Sequence, residues 1–154
     1  MIVHNITTNT PSLAVTPLGN RLYKTIFHTL VTVETDEGNL VFKFMPGFVT
    51  NFRSGGRLVD GFVDQIGDEK KALCYLVHDA MYTPCKRLNG EHPVSRFLAD
   101  EVLRAGLVWA GMSKFKAAIV YSSVRVFGSS AFEDDDELTE SNSSRFSFEW
   151  EGGR

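Results

Sequence analysis

The stretch Glu69-Lys70-Lys71-Ala72-Leu73-Cys74-Tyr75-Leu76-Val77-His78-Asp79-Ala80-Met81-Tyr82 decides the fold of this chain. Its small and apolar side chains recur at the spacing of a helix that buries one wide face. That face consists of Ala72, Leu73, Leu76, Val77 and Ala80. Asp68 can cap the start of this helix, and Pro84 ends it after Tyr82.

Two further helices are predicted along the chain. Pro93 suits the first turn of a helix that runs to about Trp109. Ser113 can cap a third helix, from Lys114 to Phe127, which Gly128 ends. The side chains expected to face the core are Phe97, Leu98, Val102 and Leu103 in the second helix and Phe115, Ile119 and Val124 in the third.

The residues before the first helix have the composition of strands. Residues 22–35 and 40–44 are rich in β-branched and aromatic side chains and flank a turn at residues 36–39, which predicts a β-hairpin. Residues 1–20 show no period and predict an extended arm. The fold class is therefore α+β, with an N-terminal hairpin or small sheet packed on a core of about three helices.

Charge divides the chain into a domain and a tail. Residues 133–154 carry a net charge of −6, whereas residues 1–132 carry +3. We therefore expect an extended arm over 1–20, a single globular domain over 21–132 and an acidic C-terminal tail over 133–154. The tail repels phosphate, so it argues against a nucleic-acid partner and favours a basic protein surface.

Other sequence features restrict the class of protein. The alternation in residues 146–150 predicts a short strand that adds to the edge of its own sheet or of a partner's. No apolar run approaches the roughly 20 residues of a transmembrane helix, and the first residues lack the features of a signal peptide. Cys74 and Cys85 are expected to be reduced.

A His-Asp pair set into the apolar first helix is the candidate for chemistry. His78 can act as a general base near neutral pH, and Asp100 on the next helix can accept the proton of its other ring nitrogen. Asp79 points about 100° around the helix and is placed to hold a hard cation such as calcium. Tyr82, one turn after His78, is expected to pack in the core with its hydroxyl on an acidic partner.

A structural interpretation of the same residues stands beside the catalytic one. A single histidine on an apolar helix face is commonly a core or boundary residue. Asp79 and Asp100 then each form an ion pair, with Arg96 or Arg104 as the candidate cations.

Over half of the chain, from about residue 44 to 127, resembles domain of unknown function 1353, a family common in tailed phages. The matching residues are Pro46-Gly47-Phe48-Val49-Thr50-Asn51-Phe52 with Ser54, His78-Asp79 with Tyr82, Arg96 with Ala99-Asp100, Tyr121 with Val124-Arg125, and Phe127-Gly128. Asn51 stands where the family pattern has an Asp. The resemblance thus implies a phage protein in which a site carboxylate has been lost.

The residues His78-Asp79, Tyr82 and Asp100 are also similar to those of phospholipases of the A-two class. That resemblance implies His78 as the base, Asp79 as a calcium ligand and Asp100 as the orienting residue. The glycine-rich calcium loop of that class has no clean counterpart before His78, where only Ser54-Gly55-Gly56 offers a substitute.

These observations lead to one main hypothesis and two alternatives. The main one is a phage virion or assembly protein that binds neck, tail or capsid proteins through extended termini, in an oligomeric assembly, with a degenerate His-Asp site. It would occur in the host cytoplasm during assembly and then in the virion. The first alternative is a hydrolase of lipid or cell-wall ester or amide bonds that uses calcium or another divalent metal. The second is an accessory protein that binds a host factor.

Overall fold

The protein has an α+β fold built from two antiparallel sheets and a layer of helices, as the sequence predicts. This computed structural model describes residues 1–9, 15–19, 22–50 and 69–152. The strands are β1 Val3–Thr8, β2 Val15–Gly19, β3 Leu22–Thr25, β4 Thr29–Thr35, β5 Gly38–Phe44, β6 Val49–Thr50 and β7 Phe146–Glu151. The helices are α1 Glu69–Met81, α2 Arg96–Trp109, α3 Lys114–Phe127, α4 Ser129–Phe132 and α5 Glu137–Ser143, with a 3₁₀ turn at Lys86–Leu88.

The predicted hairpin forms the centre of the larger sheet. β4 and β5 pair in register from Thr35 opposite Gly38 to Thr29 opposite Phe44. Alternate residues of β4 are buried, and their side chains mark the face of the sheet that the helices cover. The first strand of the hairpin is shorter than the prediction of 22–35, because β3 pairs with β2 and β6 in a separate three-stranded sheet.

Both ends of the described chain belong to the larger sheet, whose strand order is β1-β4-β5-β7. The extended arm over 1–20 and the separate tail over 133–154 are therefore not confirmed. β1 buries Val3 and Ile6 against the core, and β7 buries Phe146. Burial of these apolar side chains and pairing of the backbone stabilise the two strands within the sheet. The predicted strand at 146–150 adds to the sheet of its own chain.

The helices α1 and α2 run antiparallel. His78 near the end of α1 contacts Asp100 near the start of α2, and Cys74 earlier in α1 lies against Gly106 later in α2. All five apolar residues predicted to line the first helix are buried. The side chain of Ile6 also reaches Gly106, so α2 packs on the face of the sheet that carries β1. Cys74 and Cys85 are free and buried.

The limits of the later helices follow their caps. The side chain of Ser113 accepts the amide hydrogen of Lys116, and α3 spans the predicted residues. α2 begins later than predicted, because Ser95 caps it by accepting the amide hydrogen of Leu98. Pro93 lies before that cap.

Two aromatic residues expected in the core lie on the surface instead. Phe97 is 59% exposed and Phe115 is 76% exposed. The buried face of α3 is formed by Ala117, Val120 and Val124, which occupy a different side of the helix. Hydrophobicity alone therefore placed the core face of α3 wrongly at Phe115, because this helix carries apolar residues on more than one side.

The acidic C-terminal segment is attached to the smaller sheet by one amide side chain. Asn142 of α5 is buried; its Oδ1 accepts the amide hydrogen of Val49 at 2.9 Å, and its Nδ2 donates to the Val49 carbonyl at 2.9 Å. This side chain therefore satisfies both backbone groups of one residue in β6. Within the ranges that the structure describes, no helix is long and apolar enough to cross a bilayer.

Candidate functional site

His78 and Asp100 meet between α1 and α2. His78 Nε2 lies 2.9 Å from Asp100 Oδ1, and the two side chains are 1% and 0% exposed. An ionised carboxylate only accepts hydrogen bonds, so the ring nitrogen Nε2 carries the proton. The geometry therefore assigns one tautomer to the neutral imidazole.

Two more side chains bind the same carboxylate. The Tyr82 hydroxyl donates to Asp100 Oδ1 at 2.6 Å, and Arg125 Nη1 donates to Asp100 Oδ2 at 2.9 Å. His78 lies on α1, and Tyr82 is the first residue after that helix. Asp100 lies on α2 and Arg125 lies on α3. We call these four residues the Asp100 cluster. A single buried carboxylate thus joins three helices through charge-assisted hydrogen bonds.

The surroundings shift the pKa values of the Asp100 cluster in different directions. Burial lowers the pKa of His78 below its usual 6.5, and the hydrogen bond to Asp100 opposes this only in part. Burial alone would raise the pKa of Asp100, but the hydrogen bonds from His78, Tyr82 and Arg125 outweigh it and lower that pKa. Burial and the contact with Asp100 raise the pKa of Tyr82. At neutral pH the cluster therefore holds a neutral imidazole and a carboxylate.

Asp79 faces away from the Asp100 cluster. Its side chain is half-buried, and its Oδ2 accepts a hydrogen bond from the Thr50 hydroxyl of β6. In residues 1–9, 15–19, 22–50 and 69–152, no group of three or more His, Cys, Asp or Glu converges as a metal site would require.

Several predicted residues fall elsewhere. Asn51, Ser54 and the Gly55-Gly56 pair lie outside the described residues. Arg104 pairs with Glu101 at 2.9 Å on the same helix rather than with Asp79 or Asp100.

Arg96 acts on the end of α3. Its Nη2 donates to the carbonyl oxygens of Val124 at 2.8 Å and of Arg125 at 2.6 Å. The last carbonyls of a helix have few partners within it, and the guanidinium adds a hydrogen bond to the Val124 carbonyl, which also accepts from the Gly128 amide, and one to the Arg125 carbonyl. Arg96 thus positions the end of α3 that carries Arg125, and it does not supply the ion pair predicted for it with Asp100.

Aromatic packing connects the Asp100 cluster to the segment after α3. The rings of His78 and Tyr82 lie 4.2 Å apart, and Tyr82 meets the edge of Phe132 at 5.2 Å. Gly128, between α3 and α4, lies against Tyr82 so closely that a Cβ atom there would be 2.6 Å from the phenol oxygen. The close approach explains why the residue that ends α3 is a glycine.

Replacing Gly128 with alanine is expected to lower the free energy of unfolding by about 1–3 kcal/mol. The new methyl group would overlap both the Tyr82 hydroxyl and the Val124 carbonyl oxygen, so Tyr82 must move away from Asp100. Urea denaturation measures the change. Ser129→Ala is the matched control, because Ser129 is adjacent and exposed. Equal stabilities of the two variants would contradict the close packing.

Sequence reasoning missed two residues of this region. Arg125 lies 25 residues from Asp100 along the chain, and nothing in its neighbourhood distinguishes it from the other surface arginines. Thr50 lies 29 residues before Asp79. Thr50 and Arg125 both belong to the motifs that resemble the family, and that resemblance is the signal that could have identified them.

The comparison with family models identifies the family. Residues 25–124 match the model described as "Protein of unknown function (DUF1353)", and they make up more than half of the chain. The chain belongs to this family. No curated protein matches the chain, and neither does any solved structure.

Proposed function

We propose that this member of the DUF1353 family is a non-catalytic virion or assembly protein of a tailed phage, and that it binds other structural proteins of the phage. One observation carries the proposal: His78 and Asp100 are sealed inside the helical layer. A general base must come within hydrogen-bond reach of its substrate or of a water molecule beside it. The imidazole in this cluster instead serves as one of three donors to a buried carboxylate.

The chemistry of the Asp100 cluster agrees with a structural role. Buried polar groups are retained where all of them have hydrogen-bond partners. Here the Asp100 carboxylate accepts hydrogen bonds from His78 of α1, from Tyr82 directly after α1, and from Arg125 of α3. The family pattern implies an Asp where this chain has Asn51. Loss of that carboxylate is expected in a member that no longer turns over a substrate.

Exposed apolar side chains support binding to other proteins. Soluble monomers rarely carry large clustered apolar patches without a partner. Both described ends of the chain are strands of the sheet, so partners are expected to contact the folded surface rather than extended termini. The large apolar side chains at the surface include Ile26, Phe27, Phe97, Phe115, Val126 and Phe127.

The proposal is tested by following the protein into particles. We expect an epitope-tagged copy, expressed from the phage genome, to sediment with purified virions or with an assembly intermediate. Asp79→Asn should sediment equally well and support the same phage yield, because the amide keeps an oxygen that accepts from Thr50. Absence of the protein from every particle fraction would overturn the proposal.

One observation favours a hydrolase as the second candidate. The 2.9 Å contact between His78 and Asp100, with Tyr82 on the same oxygen, is an arrangement that can hold a base in one tautomer. This candidate requires calcium-dependent release of fatty acid from phospholipid vesicles by the purified protein. The release must also be lost in the Asp79→Asn variant. Such a result would replace the structural proposal with the enzymatic one.

A further inference from the structure

Within the described residues, β7 lies at the end of the larger sheet and pairs with β5 along one edge. The pairing has no register shift, and it continues into the bond from the Met45 amide to the Arg145 carbonyl oxygen at 2.8 Å. Along an antiparallel strand, residues that bond to the neighbour alternate with residues whose backbone groups point away from it. The residues of β7 whose backbone groups point to its outer edge are therefore Phe146, Phe148 and Trp150.

The two ends of this outer edge differ. The Cys85 thiol donates to the Phe146 carbonyl oxygen at 3.5 Å, which agrees with the outward direction of that carbonyl. In the part of the chain that the structure describes, no residue bonds to the backbone N–H and C=O groups of Phe148 and Trp150. These two residues thus present two donors and two acceptors at the spacing of a strand ladder, which is a template for another strand.

A groove lies beside these four backbone groups. It has a volume of about 470 Å³ and is formed by residues 148–150 and by the loop 87–93. The isolated bridge between Cys85 and Glu91 holds the base of the loop together, and Cys85 fixes the loop to the outer edge of β7 at Phe146. The groove therefore follows the outer edge and can receive an extended chain alongside β7.

The strand that forms this edge carries an excess of negative charge. Glu149 and Glu151 are both exposed on β7, and Lys43 of β5 lies 3.9 Å from the Glu149 carboxylate on the paired side. On the loop, the exposed side chains of Arg87 and Glu91 have opposite charges. The remaining negative charge on β7 favours a partner strand with Lys or Arg opposite the two glutamates.

Charge also argues against a second copy of β7 at this edge. Two antiparallel copies that pair through both Phe148 and Trp150 must set Glu149 opposite either Glu149 or Glu151 of the other copy. Like charges directly opposite each other destabilise a pair of strands. The occupant that fits this edge is therefore a strand of a different sequence.

We propose that the outer edge of β7 binds, as an additional antiparallel strand, an extended segment of another protein in which Lys or Arg alternates with apolar residues. The basic residues lie opposite Glu149 and Glu151. The apolar residues lie opposite Phe148 and Trp150, on the same side of the sheet as the half-buried rings of those two residues. The inference names the kind of segment that a partner would supply in the function proposed above, and it rests on that function.

A blocked seven-residue peptide of alternating valine and lysine, added to the purified full-length protein, tests the proposal. The amide hydrogens of Phe148 and Trp150 should exchange rapidly in the free protein, and the peptide should slow their exchange about tenfold or more. The Glu149 amide, which already bonds to β5, should change little. The same peptide with glutamate in place of lysine should not bind. Slow exchange at Phe148 and Trp150 in the free protein, or equal binding of the two peptides, would overturn the proposal.

Charge reversal on β7 locates the contact. A chain with Glu149→Lys and Glu151→Lys should bind the lysine peptide about tenfold or more weakly, and it should now bind the glutamate peptide. A chain with Glu133→Lys and Asp135→Lys is the matched control, because it changes the net charge equally at two exposed residues outside β7. Equal losses of affinity in the two chains would show attraction by net charge alone and contradict the proposed site.

Methylated peptides test the backbone pairing. In an antiparallel pair the valine amides point to β7, so N-methylation of the valines should abolish binding and N-methylation of the lysines should not. Any other result would overturn the antiparallel arrangement. These measurements are separate from particle sedimentation. A virion protein that does not bind the peptide refutes only this site, whereas a protein that binds the peptide but is absent from particles refutes the proposed function.

Discussion

Asp100→Ala is expected to lower the free energy of unfolding by about 3–5 kcal/mol, which is a large share of the stability of an ordinary domain. The substitution removes the acceptor for His78, Tyr82 and Arg125 at once. Two of these three donors are buried, and an unsatisfied buried donor keeps its full desolvation cost. Thermal unfolding followed by circular dichroism should show a midpoint lowered by roughly 10 °C.

Glu101→Ala provides the matched control for this experiment. Glu101 is the next residue on α2 and pairs with Arg104 near the surface, where its carboxylate is 20% exposed. An ion pair of that kind contributes at most about 1 kcal/mol. Asp100→Asn should fall between the two, because its amide oxygen still accepts from His78 while its amide nitrogen cannot accept from Arg125. A loss below about 1 kcal/mol for Asp100→Ala would refute the structural role of the cluster.

The parts of the fold that the sequence predicted well are those set by local chemistry. α3 follows its predicted limits because Ser113 accepts an amide hydrogen at its start and Gly128 ends it. The turn between β4 and β5 was also predictable, because residues adjacent in the sequence form it. The contact between His78 and Asp100 also follows from two helices that are consecutive in the chain and pack side by side.

Long-range pairing explains what could not be predicted. β1 is rich in Thr and Asn and shows a weak pattern, yet it becomes a strand because β4 offers an open edge. Phe115 and Phe97 were placed in the core because a hydrophobic pattern gives the apolar sides of a helix but does not say which side meets a neighbour. Arg125 was missed for a similar reason, because only the packing of α3 on α2 brings it to Asp100.

The stability of the protein is expected to fall as the pH drops below about 6.5, with His78 as one cause. Burial lowers the pKa of His78 in the folded protein, whereas the unfolded chain keeps the usual value. Between these two pKa values the unfolded state binds more protons, so acid favours unfolding. The loss reaches at most about 1.4 kcal/mol per pH unit for one histidine and ends below the folded-state pKa. Asp100 acts in the same direction below its usual pKa of 3.8, because its folded-state pKa is also lowered.

Urea denaturation at several pH values separates the contribution of His78 from that of the half-buried His92. Burial also lowers the pKa of His92, so the slope between pH 6.5 and the lower pKa contains two histidine contributions. His78→Gln keeps a donor for Asp100 and should remove one of them, and His92→Gln should remove the other. The difference in slope, unlike the difference in stability at neutral pH, depends on protonation and not on packing. If His78→Gln leaves the slope unchanged, the protonation of this imidazole does not differ between the folded and the unfolded state. Burial of a neutral His78 beside Asp100 then does not explain the loss of stability in acid.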